Sequence, residues 1–174
     1  MKKVLAISGS TRKNASSHLI LKVIQQEFKD QLSIDMYSAI DRLPHFNPDL
    51  DNENPPKEIL DLRSKLIAAD GVIFCTPEYV FSLPGSLKNA IEWNVSTTIL
   101  SQKPVAIIVA AASGEKAFES LDLILNTLEA RIAHASKLLI KGVKGKFNNG
   151  NLTDTLTFES LKSVMNSLIQ EMES

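Results

Sequence analysis

Gly71-Val-Ile-Phe-Cys75-Thr-Pro77-Glu-Tyr79-Val-Phe-Ser-Leu-Pro84-Gly-Ser-Leu-Lys88-Asn-Ala-Ile-Glu-Trp93 reads as a buried strand, a short loop and a helix. The run before Cys75 is apolar throughout, as in a strand covered on both faces. Pro77 ends it, because proline donates nothing to a ladder and restricts the residue before it. Pro84 suits the first position of a helix, where its missing N–H costs nothing. Leu87, Ala90 and Ile91 then recur at helical spacing and give that helix a face to lay on a sheet. The loop from Glu78 to Leu83 leaves the carboxyl end of the strand, which is where open α/β sheets bind ligands.

Outward from this stretch the same unit repeats. Val4 to Ile7 is an apolar run, followed by the polar loop Ser8 to Ser17. Leu19, Ile20, Val23, Ile24 and Phe28 mark a helix, with Ser16 or Ser17 placed to cap it. Ser33 to Tyr37 alternates like an edge strand, Arg42 to Pro56 has the composition of a long surface loop, and Lys57 to Ala69 is amphipathic. Beyond Trp93, residues 94–103 are irregular and Val105 to Ala110 is again wholly apolar. A small-residue loop, Ala111 to Glu115, precedes a helix marked by Phe118, Leu121, Leu125, Leu128 and Ile132. Ala135 to Ile140 is a last strand of mixed polarity, residues 141–150 read as an exposed loop, and Leu161, Val164, Leu168 and Met172 mark a closing helix.

Five β-α units predict an α/β fold: one parallel sheet between two helical layers, with residues 1–174 as one domain. The first, third and fourth strands are uniformly apolar and belong in the middle; the second and fifth belong at the edges. That is the order 2-1-3-4-5. The first turn has Gly9 but no Gly-x-Gly-x-x-Gly, and no Gly-x-x-x-x-Gly-Lys-Ser/Thr occurs anywhere, which removes the dinucleotide and P-loop readings.

Composition narrows the function classes. The net charge is −1, from 19 basic and 20 acidic residues, so no basic field awaits nucleic acid or an anionic membrane. No segment approaches the roughly 18 apolar residues of a membrane span. The apolar run after Met1 is stopped by Ser8-Gly9-Ser10, short of a secretory leader. A lone Cys75 excludes an internal disulfide and suits a reducing cytoplasm. His18, His45 and His134 lack metal-ligand spacing, so no metal is expected.

Three loops should converge at the carboxyl ends of the middle strands. The Ser8–Ser17 loop opens a helix, whose free N–H groups favour an anion. Ser10, Thr11, Ser16 and Ser17 add hydroxyls, and Arg12 adds a charge suited to phosphate. Tyr79 reads as a packing or stacking residue, and Cys75 as a small core residue.

Thr-Pro-Glu-Tyr-x-x-Ser-x-Pro-Gly-x-Leu-Lys-Asn-Ala-Ile-Glu-Trp, from Thr76 to Trp93, resembles the signature of the NADPH-dependent FMN reductase family. Gly9-Ser10-x-Arg12 followed by a serine is similar to that family's phosphate loop. The resemblance implies a flavodoxin-like three-layer sandwich that binds FMN and takes hydride from NADPH or NADH. Electrons would pass to a small-molecule acceptor such as a flavin, quinone, azo compound or oxyanion. It implies FMN contacts from Ser10, Arg12, Ser16 and Ser17, with the two latter serines interchangeable. The same resemblance lays Pro77, Glu78, Tyr79, Val80 and Ser82 against the flavin ring and brings Ser113 and Gly114 to its edge. Where the family commonly has Asn after Pro-Glu-Tyr, this chain has Val80 and then Phe81. Glu78 is expected to shape its loop or face a second subunit. Relatives pair subunits through the corresponding helix, so a homodimer or tetramer is expected, with Trp93 exposed beside the pairing surface. The same residues would also suit a flavodoxin-like electron carrier without turnover, or a protein using the fold for interaction alone. Carriers are typically strongly acidic and lack an arginine in the phosphate loop.

Overall fold

The computed structural model describes residues 1–174. Strands β1 (Lys2–Ser8), β2 (Leu32–Tyr37), β3 (Gly71–Thr76), β4 (Val105–Ala111) and β5 (Lys137–Lys141) form one parallel sheet in the order β2-β1-β3-β4-β5. Every residue of β3 and β4 is buried, whereas β2 and β5 are partly exposed, as the mixed polarity of the edge strands predicts.

Alternation along the strands divides the interior into two cores. Leu5, Ile7, Val72, Phe74, Val105, Ile107 and Val109 face α2 (Lys57–Ala68), α3 (Gly85–Glu92) and α4 (Glu115–Thr127). Val4, Ala6, Ile73, Cys75, Ala106, Ile108 and Ala110 face α1 (Ser16–Glu27) and α5 (Thr155–Glu173). The two cores explain why the middle strands need apolar residues at every position. Since β1 lies between β2 and β3, the chain switches direction there, and a crevice opens at the carboxyl ends of the strands. Gly9 lets the turn after β1 pass close to the end of β3: a Cβ on it would stand 2.2 Å from Thr76 Oγ1.

Several local expectations are corrected. Ala15, not a serine, occupies the N-cap of α1, and no side chain caps that helix. Helix α4 ends at Thr127, short of Ile132, because Glu129 adopts a left-handed φ of 59° and the Ala130 N–H turns back to the Leu125 carbonyl. The segment expected as an exposed loop at 141–150 contains a short helical turn, Val143–Lys146. It also contains one strand of a small hairpin that pairs Phe147–Asn148 with Asn151–Leu152.

Trp93 is the largest correction: it is fully buried, not exposed. Its Nε1–H donates to the Pro44 carbonyl at 2.8 Å, and its ring meets Phe46 edge-on with centroids 5.2 Å apart. Asn89 holds the same loop twice, donating to the Pro44 carbonyl at 2.9 Å and accepting from the Phe46 N–H at 2.7 Å. Arg63 adds a bond from Nε to the Trp93 carbonyl at 3.1 Å and pairs with Asp51 at 2.7 Å. Loop 42–56 is thus pinned over the end of α3 by long-range bonds that helical periodicity cannot reveal.

Candidate active site

The β1–α1 loop is braced by its own hydroxyls. Ser8 Oγ and Ser17 Oγ lie 3.0 Å apart, and Ser8 Oγ also accepts from the Ser10 N–H at 3.3 Å. Ser10 Oγ accepts from the Arg12 N–H and meets the Tyr79 hydroxyl, each at 3.3 Å. That last contact ties the first loop to the second. At the start of α1 the N–H groups of Ser16, Ser17 and His18 have no intrahelical acceptor, as in any uncapped helix. Burial, and then Lys22, hold the His18 imidazole below its ordinary range, leaving charge at this end to neighbouring cations.

Glu78 connects the second loop to the third. One carboxylate oxygen accepts from the Gly114 N–H at 3.1 Å; the other accepts from the N–H groups of Lys116 at 3.0 Å and Ala117 at 3.1 Å. A carboxylate at a helix N-terminus satisfies orphan donors and complements the helix dipole. Gly114 suits its turn because its φ is 96° and an added Cβ would stand 2.7 Å from Leu139. Glu78 therefore acts as a bracket between the β3–α3 and β4–α4 loops.

Between these loops lies a cleft of about 350 Å³. Arg12, Ala15, Ser16 and Lys144 line it, together with Gly142 and Val143. Pro77, Glu78, Tyr79 and Ala110–Ala112 supply the rest of the wall. Lys141 pairs with Glu115, and Lys146 pairs with Asp154 at 3.0 Å, but neither Arg12 nor Lys144 has a carboxylate partner. The cleft thus combines two cations without ion-pair partners, a carboxylate engaged by backbone N–H groups, and a wall of small apolar groups.

Of the residues singled out from sequence, Arg12, Ser16, Pro77, Glu78 and Tyr79 line this cleft. Ser10 is buried just behind it against Tyr79. Ser17 is buried with its hydroxyl turned to Ser8, so of the two serines it is Ser16 that lines the cleft. Ser113 is exposed beside it, and the Gly114 N–H is taken by Glu78. Gly142, Val143 and Lys144 are lining residues that sequence reading missed. They follow directly on the carboxyl end of β5, and no spacing connects them to Arg12. Cys75 is fully buried, and burial pushes its thiol well above its ordinary range, which rules it out as a nucleophile.

Val80 and Phe81 stand apart from the wall. Tyr79 and Ser82 exchange both backbone bonds, N–H to carbonyl at 2.9 and 3.1 Å, which closes a two-residue turn. Val80 and Phe81 fill its centre with φ of 50° and 55°, and their side chains are 95% and 77% exposed. Two positive φ values define the turn type that favours Asn and Gly. For other residues this conformation costs about 1–2 kcal/mol each, and more for a β-branched one.

Comparison with known proteins agrees with this architecture. A profile described as NADPH-dependent FMN reductase matches residues 2–143. The NADH:(hydroxy)cinnamate reductase subunit CrdA of Vibrio ruber is 32% identical, over 95% of this chain and 84% of its own length. An NADPH:quinone oxidoreductase of Arabidopsis thaliana is also 32% identical, over 95% of this chain and 89% of its own. Among solved structures, the NAD(P)H:(acceptor) oxidoreductase FerB of Paracoccus denitrificans superposes with a TM-score of 0.87. It is 27% identical, covering 99% of this chain and 98% of FerB. Profile, relatives and topology agree over nearly the whole sequence: the chain is a flavodoxin-like oxidoreductase that works with FMN and NAD(P)H, and it belongs to the NADPH-dependent FMN reductase family.

Proposed function

We propose that the protein oxidises NADPH or NADH through FMN held in the cleft, and reduces a small-molecule acceptor at the same site. Flavins, quinones, azo compounds and oxyanions are the acceptor classes within this reading. The observation that carries it is the make-up of the cleft, whose unpaired Arg12 and Lys144 and whose small apolar groups match a ligand with a phosphate and a flat ring. Arg12, the Ser16 hydroxyl and the free N–H groups opening α1 would hold the phosphate, with Ser10 bracing them and Ser17 giving its backbone. Pro77, Glu78, Tyr79, Val80 and Ser82 would flank the ring on one side, and Ser113 and Gly114 on the other. FMN, when bound, would supply the hydride-accepting and electron-releasing chemistry. The chain's own work is to fix the ligand and to keep the two loops together through Glu78.

The reading extends to assembly and place. A homodimer or tetramer would use the groove between α3 and α4, where Val95 and Leu123 are 58% and 69% exposed beside Ile91 and Leu128. Trp93, being buried, has no part in it. One buried, unpaired cysteine suits a cytoplasmic enzyme, and no helix is long and apolar enough to cross a membrane.

Anaerobic addition of NADPH to the FMN-loaded protein is the test. The reading expects the yellow colour to bleach and to return when an acceptor is added. Colour that persists with both NADPH and NADH would overturn it. Sedimentation at micromolar concentration should give a multiple of the 19.1 kDa chain, and a monomer mass would remove the assembly.

A further inference from the structure

The Tyr79–Ser82 turn is poorly explained as scaffolding. Its two central residues hold a backbone conformation that Asn or Gly would adopt without strain, and their side chains bury almost nothing in return. Strained backbone persists where function over-determines it, and ligand clamps are among its usual locations. The turn also has a fixed position. Tyr79 lines the cleft, its hydroxyl lies 3.3 Å from Ser10 Oγ, and Glu78 just before it is bonded to three backbone N–H groups. Phe81 is therefore an exposed aromatic ring carried on a rigid mount two residues beyond Tyr79 of the cleft wall. The tip of a two-residue turn is far smaller than the about 800 Å² per partner of a standard protein interface. A small molecule entering the cleft beside Tyr79 is the occupant that fits.

We propose that Phe81 selects the electron acceptor, favouring flat apolar aromatic acceptors of the quinone class over small oxyanions. The proposal rests on the FMN reductase reading above. A flat apolar acceptor gains by covering the Phe81 ring, whereas a small, strongly hydrated anion gains nothing from it. The redox balance is complete: NADPH gives a hydride, and the quinone takes two electrons and two protons, the second proton coming from water. Val80 adds apolar surface to the same turn and shares the strain.

Steady-state kinetics of the FMN-loaded protein with menadione and with chromate, a small oxyanion, test this. Phe81→Gly relieves the positive φ while deleting the ring, so its melting temperature should equal or exceed that of the wild type. Its kcat/KM for menadione should fall at least tenfold, with that for chromate staying within twofold. Phe81→Tyr, which keeps a ring, should hold menadione turnover within threefold. Retained menadione turnover in Phe81→Gly overturns the proposal, as does an equal loss for both acceptors. A change of sedimentation mass in Phe81→Gly would reassign the turn to a subunit contact and also overturn it. Wild-type protein that oxidises NADPH with neither acceptor would overturn the underlying reading along with this one.

Discussion

Residues 77–82 and 85–93 are adjacent in the chain and belong to one recognisable signature, yet they live under opposite constraints. The first group stands at the cleft, half exposed, with two left-handed residues whose side chains face solvent. The second is a helix whose Leu87, Ala90 and Ile91 are buried and whose Asn89 and Trp93 hold loop 42–56. A contiguous signature can thus join a site to its scaffold. The match alone does not say which residues touch a ligand; burial and hydrogen-bond partners do.

The sharpest test of that division is on the scaffold side. Trp93→Ala removes a fully buried ring and should cost about 3–5 kcal/mol. Urea denaturation should show the loss, while FMN affinity of the folded protein stays close to wild type. A large drop in affinity without a stability change would move Trp93 to the site side. Arg12→Ala is the mirror experiment. Losing one charge-assisted hydrogen bond costs about 1.5–3 kcal/mol, so FMN should bind roughly 10- to 150-fold more weakly. Riboflavin, having no phosphate, should bind both proteins alike in a fluorescence titration, with no change in urea midpoint.

Glu78→Gln probes the boundary, because this side chain lies in the cleft wall and also brackets two loops. The amide keeps one acceptor oxygen and sets its NH2 against the N–H or N–H pair that the other oxygen served, which should lower stability by about 1–2 kcal/mol. The pH profile of kcat should keep its shape. A lost limb in that profile would make Glu78 a proton donor or acceptor in turnover.

The smallest effect concerns Tyr37, a scaffold residue whose buried hydroxyl has no partner. Burial first, then Asp61 and Glu58, push its phenol from an ordinary 10.0 up to about 12. The folded chain therefore favours the protonated form. Above pH about 10 the unfolded chain gives up that proton first, so this residue's stabilising contribution is lost between roughly pH 10 and 12. Tyr37→Phe should flatten the alkaline loss and, at pH 7, shift stability by no more than about 1 kcal/mol. Chemical denaturation at pH 7, 10 and 12 would show both.

Sequence made the sheet legible because central parallel strands must be apolar on both faces, a pattern that Val72–Phe74 and Val105–Ala110 display without ambiguity. The order of strands followed from the mixed polarity of β2 and β5. What escaped reading has a common physical root. The end of α4 and the centre of the 79–82 turn both require left-handed backbone, and Glu129, Val80 and Phe81 occupy those positions where Gly or Asn would have given notice. Trp93 and Lys144 escaped for another reason. Their places depend on segments about fifty and over one hundred residues away, a loop for the one and the Arg12 wall for the other. Local periodicity carries no record of such partners. In the first loop, composition identified the serines, but only their packing separated Ser16 from Ser17.

The Glu78 bracket also turns one helix end into a gauge. First-turn amides of a helix ordinarily trade their hydrogens with solvent quickly, since no carbonyl restrains them. Here the amides of Gly114, Lys116 and Ala117 are engaged by a side chain belonging to a different loop. Their deuterium uptake is therefore set by how often that other loop lets go. An isotope label read at residues 114–117 consequently times the opening of residues 77–82, without any probe attached to the cleft itself.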